Sequence, residues 1–199
     1  SEQQTVETAR DAHRTEAEAV LYEMAAQFSH AGAATNIQLH FGPSGTEGYK
    51  LQNRIVDETD PDGVLFADQL TSWKNVLVPL RDDRHQAQIV DFVSAFHTDS
   101  IFILELYHAT PDEAAVEAAE QMLESVEKIL LTRGFSEADL EITVEVTEDV
   151  ISALTAKARN HNIVVMGDTE ASKTENQLFG PLSTNIDRET DTPIVVVRK

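Results

Sequence analysis

Five short apolar segments, separated from one another by helical patterns, constrain this chain more than any other feature. They are rich in β-branched residues and cover residues 76–80, 101–107, 142–146, 163–166 and 194–197. Apolar runs of this length between turn signals are typical of strands buried on both faces, whereas residues 142–146 alternate apolar and polar residues as a strand does. Strands that alternate with helices form parallel sheets covered by helices on both sides. The sequence therefore predicts an α/β, doubly wound, Rossmann-like or flavodoxin-like fold with a five-stranded sheet in the order 3-2-1-4-5.

The helix after the second strand has the clearest start and end. Thr110 is placed to cap it, Pro111 falls in the first turn, and Asp112 lies where the helix dipole favours an acid. Gly134 is a typical helix stop. Similar patterns predict helices over residues 85–96 and 150–160 and a short one over 182–189.

The first 72 residues look like an incomplete copy of the remainder of the chain. They predict a long helix over residues 1–31, a strand over 37–41, a helix near 51–56 and a strand over 64–67. The second part of the chain has the same order: a long helix, a strand over 142–146, a helix and a strand over 163–166, which aligns with 64–67. We therefore predict a truncated repeat at 1–72 and a complete domain at 73–199. The alternative is a single domain with an N-terminal arm that packs on the sheet.

The charge is strongly acidic and spread along the whole chain. The formal net charge is −20, with 35 acidic residues against 15 basic ones, of which six are Lys. This balance is typical of proteins from salt-accumulating halophiles, although an ordinary acidic bacterial protein is the alternative. Nucleic acids and anionic membranes need clustered Lys and Arg, so neither is expected as a direct partner.

The absence of cysteine excludes disulfides and thiolate chemistry. No apolar run reaches the length of a membrane span, and no signal peptide is evident, so a cytoplasmic location is expected. The first residue, Ser1, is not Met. Processing would explain this, and so would a fragment of a longer protein, which the incomplete repeat favours.

The C-terminal part resembles universal stress protein domains. Their loop has Gly, two residues, Gly, nine residues, and Gly followed by Ser or Thr. Here Gly167 and Gly180 match in register, whereas the middle position is Glu170 and the last is Pro181. The closing segment 193–197 is similar to the Pro-apolar strand that ends such domains.

The resemblance implies a nucleotide site at the carboxyl ends of the strands. After the first strand, Pro79 is followed by Arg81 where ATP-binding members carry an acid, and Asp82 offers an acid one position later. Leu106 matches an apolar contact to adenine. The phosphate loop would contain Gly167, Glu170, Gly180 and Ser183. Glu170 brings negative charge and Pro181 lacks an N–H donor, so we expect a degenerate site without cofactor; ATP or AMP binding is the alternative.

No motif for catalysis or for a metal site accompanies this loop. Arg81 is placed either to bind an anion or to pair with Asp82 or Asp83 at the surface. Seven histidines are scattered, without metal-ligand spacing. His85 and His108 both lie near the predicted sheet edge, where two histidines with a nearby Asp could form a site. We expect no metal and no enzymatic activity.

The resemblance also implies a function. It favours a non-enzymatic regulatory or interaction domain, with an ATP- or AMP-sensing protein as the alternative. Similar domain pairs form the cytoplasmic tails of haloarchaeal amino-acid and cation permeases, so a covalently linked membrane-transport domain is one expected partner. The apolar edge strand Ile194–Val197 is expected to pair either in a homodimer or with the incomplete first repeat.

Overall fold

A computed structural model gives the fold of the chain in two compact units, Ser1–Pro43 and Ser44–Lys199. The residues that it describes are 14–15, 18–23, 25–26, 29–30, 34, 36, 46–66, 72–96, 98–168, 186 and 189–198. In the first unit the described residues between 14 and 30 are helical, and Nε of Arg14 lies 2.8 Å from Oε1 of Glu18. The predicted strand 37–41 lies outside the described residues.

The second unit alternates strands and helices. Its strands are β1 (Gly63–Phe66), β2 (Asn75–Pro79), β3 (Ile103–Thr110), β4 (Leu140–Val146), β5 (Ile163–Gly167) and β6 (Ile194–Val197). Its α-helices are α1 (Thr46–Thr59), α2 (Gln86–Ser94), α3 (Val116–Thr132) and α4 (Val150–Ala158). Short 3-10 helices cover Thr98–Ser100, Glu113–Ala115 and Glu137–Asp139. Across the part of the chain that is described, no helix combines the length and the hydropathy that crossing a membrane requires.

The strands form one six-stranded sheet in the order β1-β6-β5-β2-β3-β4. β2 to β6 are parallel to one another and retain the predicted order 3-2-1-4-5, so the α/β doubly wound class is confirmed. The predicted number of five strands is wrong. A sixth strand, β1, joins the sheet at its edge because its apolar residues pair with β6.

β1 joins the sheet antiparallel to β6, with Val64 opposite Val196 and Leu65 opposite Val195. β6 is therefore paired on both sides within the chain, by β5 and by β1. The sequence left pairing of Ile194–Val197 with the first repeat as one of two alternatives, and its alignment of residues 64–67 with residues 163–166 stays a prediction. The proposed repeat boundary near residue 72 stays a prediction; in the structure, the compact unit that contains the sheet begins at Ser44.

Helices cover both faces of the sheet. Successive side chains of a strand point to opposite sides, so the central strands present apolar residues to both faces. In β2, Val76 and Val78 contribute to one apolar cluster and Leu77 to the other. The first cluster includes residues of α2 and α3: Ile89, Val90, Val93, Leu123, Val126 and Leu130. The second includes residues of α1 and α4: Val56, Leu154 and Ala158. Burial of both faces explains the continuous apolar runs in the sequence.

The cap of the segment that leads into α3 lies two residues later than predicted, whereas the end of α3 agrees with the prediction. The Asp112 side chain, rather than Thr110, accepts the N–H of Ala114, at 2.9 Å, and caps the 3-10 turn that leads into α3. At the other end Gly134 has φ 101°, and the N–H of Phe135 donates to the carbonyl of Leu130 at 3.2 Å. This is the Schellman arrangement that a glycine after a helix favours.

Candidate functional site

The carboxyl ends of β2 and β5 lie side by side in the sheet. β2 ends at Pro79 and β5 ends at Gly167, and the two strands pair in parallel with Val76 opposite Ile163. After β2 the chain enters α2 on one face, whereas after β5 Ile186 is buried on the other face. The next described elements after the two neighbouring strands, α2 and Ile186, thus lie on opposite faces of the sheet, and ligands of open α/β sheets bind in the crevice at such a point.

A histidine fills the space beside Gly167. His85 directly precedes α2 and has φ 60° and ψ 3°, in the left-handed region. A Cβ atom on Gly167 would lie 2.8 Å from Cβ of His85 and 3.1 Å from its Cγ and Cδ2. These separations are too short for non-bonded carbon atoms, so the contact requires glycine at position 167. The His85 Nδ1 atom is buried and has no hydrogen-bond partner among the described residues.

Asp82, in the loop between β2 and α2, is enclosed by two arginines. Its Oδ2 accepts hydrogen bonds from Nη2 of Arg84 at 2.7 Å and from Nε of Arg81 at 3.1 Å. Its Oδ1 accepts the backbone N–H of Arg84 at 3.1 Å. The hydrogen bonds from Arg84, with those from Arg81, outweigh partial burial and lower the pKa of Asp82 to about 2. Both carboxylate oxygens are therefore engaged within the loop itself.

The chain is similar to known proteins in its structure but not in its sequence. No protein-family model matches the chain, and no curated protein matches it. A universal stress protein from Archaeoglobus fulgidus superposes with a TM-score of 0.60 at 17% identity, over 95% of this chain and 78% of that one. The chain has the universal stress protein fold. Another universal stress protein, solved in complex with cAMP, superposes with a TM-score of 0.50 at 19% identity, over 64% of this chain and 98% of that one.

In this universal stress protein fold, four of the predicted site residues lie at the ends of the two strands that border the expected crevice. β2 ends at Pro79, the loop after it contains Arg81 and Asp82, and β5 ends at Gly167. Arg81 is exposed and bonded to Asp82, which is the surface pairing that the sequence left as one alternative. Glu170, Gly180 and Ser183 lie outside the described residues, as does Pro181.

Leu106, the predicted adenine contact, lies in the centre of the sheet. It is 0% exposed and stands in β3 between Val78 and Ile142. Its side chain belongs to the apolar cluster under α2 and α3. A ligand at the edge would reach it only if that cluster opened, so its role as a ligand contact stays a prediction.

The two histidines near the edge have separate environments. Nδ1 of His108 lies 2.7 Å from the carbonyl oxygen of Leu80, which ties β3 to the loop after β2. His85 instead packs against Gly167. Across the described ranges, no group of three or more His, Asp or Glu side chains is arranged to hold a metal ion.

A buried charged group lies inside the sheet, and the sequence patterns above did not identify it. Glu105, in β3, is 3% exposed. Its Oε1 lies 2.7 Å from Nζ of Lys157 and accepts the Thr143 hydroxyl at 2.5 Å, while its Oε2 lies 3.0 Å from Nε2 of His161. Burial acts to raise the pKa of Glu105, but hydrogen bonds from His161, Lys157 and Thr143 outweigh it and lower the pKa to about 2. We call these four residues the Glu105 cluster.

The Glu105 cluster joins β3, β4 and the end of α4. Nδ1 of His161 lies 2.9 Å from the carbonyl oxygen of Lys157, so both ring nitrogens face oxygen atoms. Beside it, the Tyr107 hydroxyl donates to Glu145 at 2.7 Å, and burial together with this bond raises the pKa of Tyr107. The signal that could have revealed the cluster is a lone carboxylate within the apolar segment 101–107.

The ends of β5 and β6 are linked by a further pair. Asp168 is 9% exposed, and its Oδ2 lies 3.4 Å from Nε of Arg198. The Asp168 N–H donates to the carbonyl of Val197 at 2.8 Å, and the Arg198 N–H to that of Asp62 at 2.7 Å. These bonds hold the residue after Gly167 against the last strand, so they position the rim of the crevice.

Proposed function

We propose that the chain is a non-enzymatic regulatory or interaction domain of the universal stress protein type whose nucleotide site is degenerate. The observation that carries the proposal is the state of Asp82 at the edge of the crevice. A ribose hydroxyl binds best to a carboxylate that has no other donors, but both oxygens of Asp82 already accept hydrogen bonds from Arg81 or Arg84. A nucleotide would therefore compete with two arginines for this carboxylate and would gain less from it.

The sequence of the phosphate loop supports the same proposal. Glu170 places negative charge where a phosphate would bind, and Pro181 removes an N–H donor. At about 4–5 Å from a phosphate, a carboxylate costs on the order of 1–4 kcal/mol at dielectrics between that of water and that of a protein surface. Both changes act against nucleotide binding.

The direct test is calorimetric titration of the whole chain with ATP in molar KCl. We expect no saturable heat at ligand concentrations up to the millimolar range, because the carboxylate and the loop are both unsuited to a nucleotide. A dissociation constant in the micromolar range would contradict the proposal and favour the nucleotide-sensing alternative.

We further propose that this domain is the cytoplasmic part of a membrane transporter, of the amino-acid or cation permease kind, in a halophilic archaeon. The acidic, Lys-poor composition and the resemblance to haloarchaeal permease tails support this proposal. An antibody against the chain should detect, in cells of the source organism, a protein much larger than 22.0 kDa that stays in the membrane fraction after alkaline carbonate washing. A soluble protein of about the size of this chain would contradict it.

The second candidate function is sensing of ATP or AMP. One observation favours it: a solved universal stress protein with this fold is described as a complex with cAMP. The ATP titration distinguishes the two candidates, since a sensor must bind its nucleotide at cellular concentrations and a degenerate domain does not.

A further inference from the structure

The contact between His85 and Gly167 lies where a nucleotide would enter. His85 is carried by the loop after β2, and Gly167 is the last residue of the neighbouring strand β5. The side chain of His85 therefore reaches across the crevice from β2 to β5. The Cβ, Cγ and Cδ2 atoms all lie within 3.1 Å of the position that a Cβ on Gly167 would take. At these distances no ligand atom fits between the two residues.

The conformation of His85 is unfavourable in two respects. A left-handed φ of 60° is uncommon for a residue other than glycine. The buried Nδ1 atom also lacks a hydrogen-bond partner among the described residues, and such an atom loses the hydrogen bond that it would make in water. Among the described residues, the side chain is thus held in the crevice by packing against Gly167, and its Nδ1 atom contributes no hydrogen bond.

We propose that His85 is a steric plug that keeps nucleotides out of the crevice and adds to the weakening by Asp82 and the loop, an inference that rests on the proposed degenerate site. The space that the imidazole takes is at the switch point where this type of sheet binds nucleotides. The opened crevice would have room for a nucleoside monophosphate, because a planar ring already lies against the Gly167 backbone.

The test compares AMP binding by the whole chain and by variants at position 85. His85→Gly removes the ring and suits the left-handed backbone, so the variant should fold at least as well as the wild type. In calorimetry in molar KCl we expect no saturable binding by the wild type. The His85→Gly variant should bind with a dissociation constant about tenfold or more below the highest AMP concentration at which the wild type is silent.

The matched control is His85→Asn, because asparagine tolerates the left-handed region and keeps atoms at the Cβ and Cγ positions that contact Gly167. This variant should stay silent towards AMP. If circular dichroism shows that His85→Gly does not fold, His85→Ala removes the ring while keeping Cβ and takes its place in the titration.

The outcomes separate this inference from the function on which it rests. Binding by His85→Gly without binding by His85→Asn supports the plug. A folded His85→Gly that is as silent as the wild type overturns the plug but leaves the degenerate site standing. Micromolar binding of AMP by the wild type overturns both, because the crevice would then be open with His85 in place.

Discussion

Nζ of Lys157 lies 2.7 Å from Oε1 of Glu105, and this pair joins the end of α4 to the middle of the sheet. The Glu105 side chain is 4% exposed and that of Lys157 is 29% exposed. A carboxylate this deeply buried is tolerated only while charged and hydroxyl donors surround it. The pair therefore makes the packing of α4 depend on electrostatics as well as on apolar contact.

The first prediction is that Lys157→Met destabilises the chain by about 2–4 kcal/mol, because Glu105 loses its closest cation while it stays buried. The matched control is Lys128→Met, since Lys128 forms an exposed helical pair with Glu124 at 3.4 Å. That change should alter stability by about 0.5 kcal/mol or less. Urea unfolding in molar KCl measures both. If both variants lost the same free energy of unfolding, the Glu105 cluster would stabilise the fold no more than an exposed ion pair does.

The second prediction concerns acid. The pKa of Glu105 is lowered from 4.5 in the unfolded chain to about 2 in the fold. A lowered pKa means that the stabilisation is fully present above pH 4.5 and is lost as the pH falls towards 2. At neutral pH it amounts to roughly 3 kcal/mol, at 1.36 kcal/mol for each pH unit.

This dependence can be isolated with Glu105→Gln, which keeps the shape of the side chain and cannot ionise. The difference in unfolding free energy between wild type and variant should be constant above pH 5 and should shrink between pH 4.5 and pH 2. The same measurement on Glu120→Gln, the same replacement at an exposed carboxylate of α3, serves as the control. A difference that does not change with pH would show that Glu105 is not the group that titrates.

The third prediction concerns the edge that β1 covers. The Arg198 N–H donates to the carbonyl of Asp62 at 2.7 Å, so these residues form a hydrogen-bonded pair of the antiparallel ladder. Such pairs recur every second residue, which makes Val64 opposite Val196 the next one. Proline at position 64 would remove the N–H that bonds to β6.

We therefore expect Val64→Pro to release β1 and leave the apolar strand β6 open to pairing between chains. Size-exclusion chromatography with light scattering should show a shift towards larger species. Val64→Thr, which keeps the N–H and the β-branched shape, should elute like the wild type. If Val64→Pro changes neither mass nor stability, β1 does not protect the edge.

The fourth prediction tests adaptation to salt. Repulsion within a chain of formal net charge −20 is screened strongly in molar KCl, where the Debye length falls to about 3 Å. The melting temperature should rise by about 5 °C or more between 0.1 M and 2 M KCl, which corresponds to roughly 2 kcal/mol for a chain of this size. A flat or falling curve would argue against the halophile proposal.

The order of the parallel strands could be predicted because the relevant signals are local. The runs at 76–80 and 163–166 are apolar throughout, and turn residues and helical patterns separate them. Strands of this kind leave few alternatives once crossovers are right-handed and helices cover both faces. The ends of α3 follow from the same local chemistry, although the sequence does not decide between Thr110 and Asp112 as the cap.

The partner of β1 could be predicted only as one of two alternatives, because the sequence also allowed β6 to pair between two chains. Residues 64–66 are as apolar as those of β5, so spacing alone suggested that the two segments correspond. Which strand β1 pairs with depends on a contact with β6, which lies far along the chain, and no local pattern encodes it.

The candidate site was predictable only in part. The positions of Pro79 and Gly167 follow from where their strands end, but nothing local indicates that His85 adopts a left-handed backbone. Glu105 differs, since a carboxylate within an apolar strand is costly to bury alone and so indicates charged partners. Its partner Lys157 comes from α4, and sequence spacing does not reveal that contact.

The pairing of β1 with β6 also has a consequence for how the chain folds during synthesis. β1 leaves the ribosome before β2 to β5, whereas β6, its partner, is made after all of them. Until β6 emerges, β1 cannot make this ladder, and its apolar residues depend on local contacts or on a chaperone. Closure of such a distant contact is slow. The last step in building this sheet should therefore lock its first strand and its last strand together.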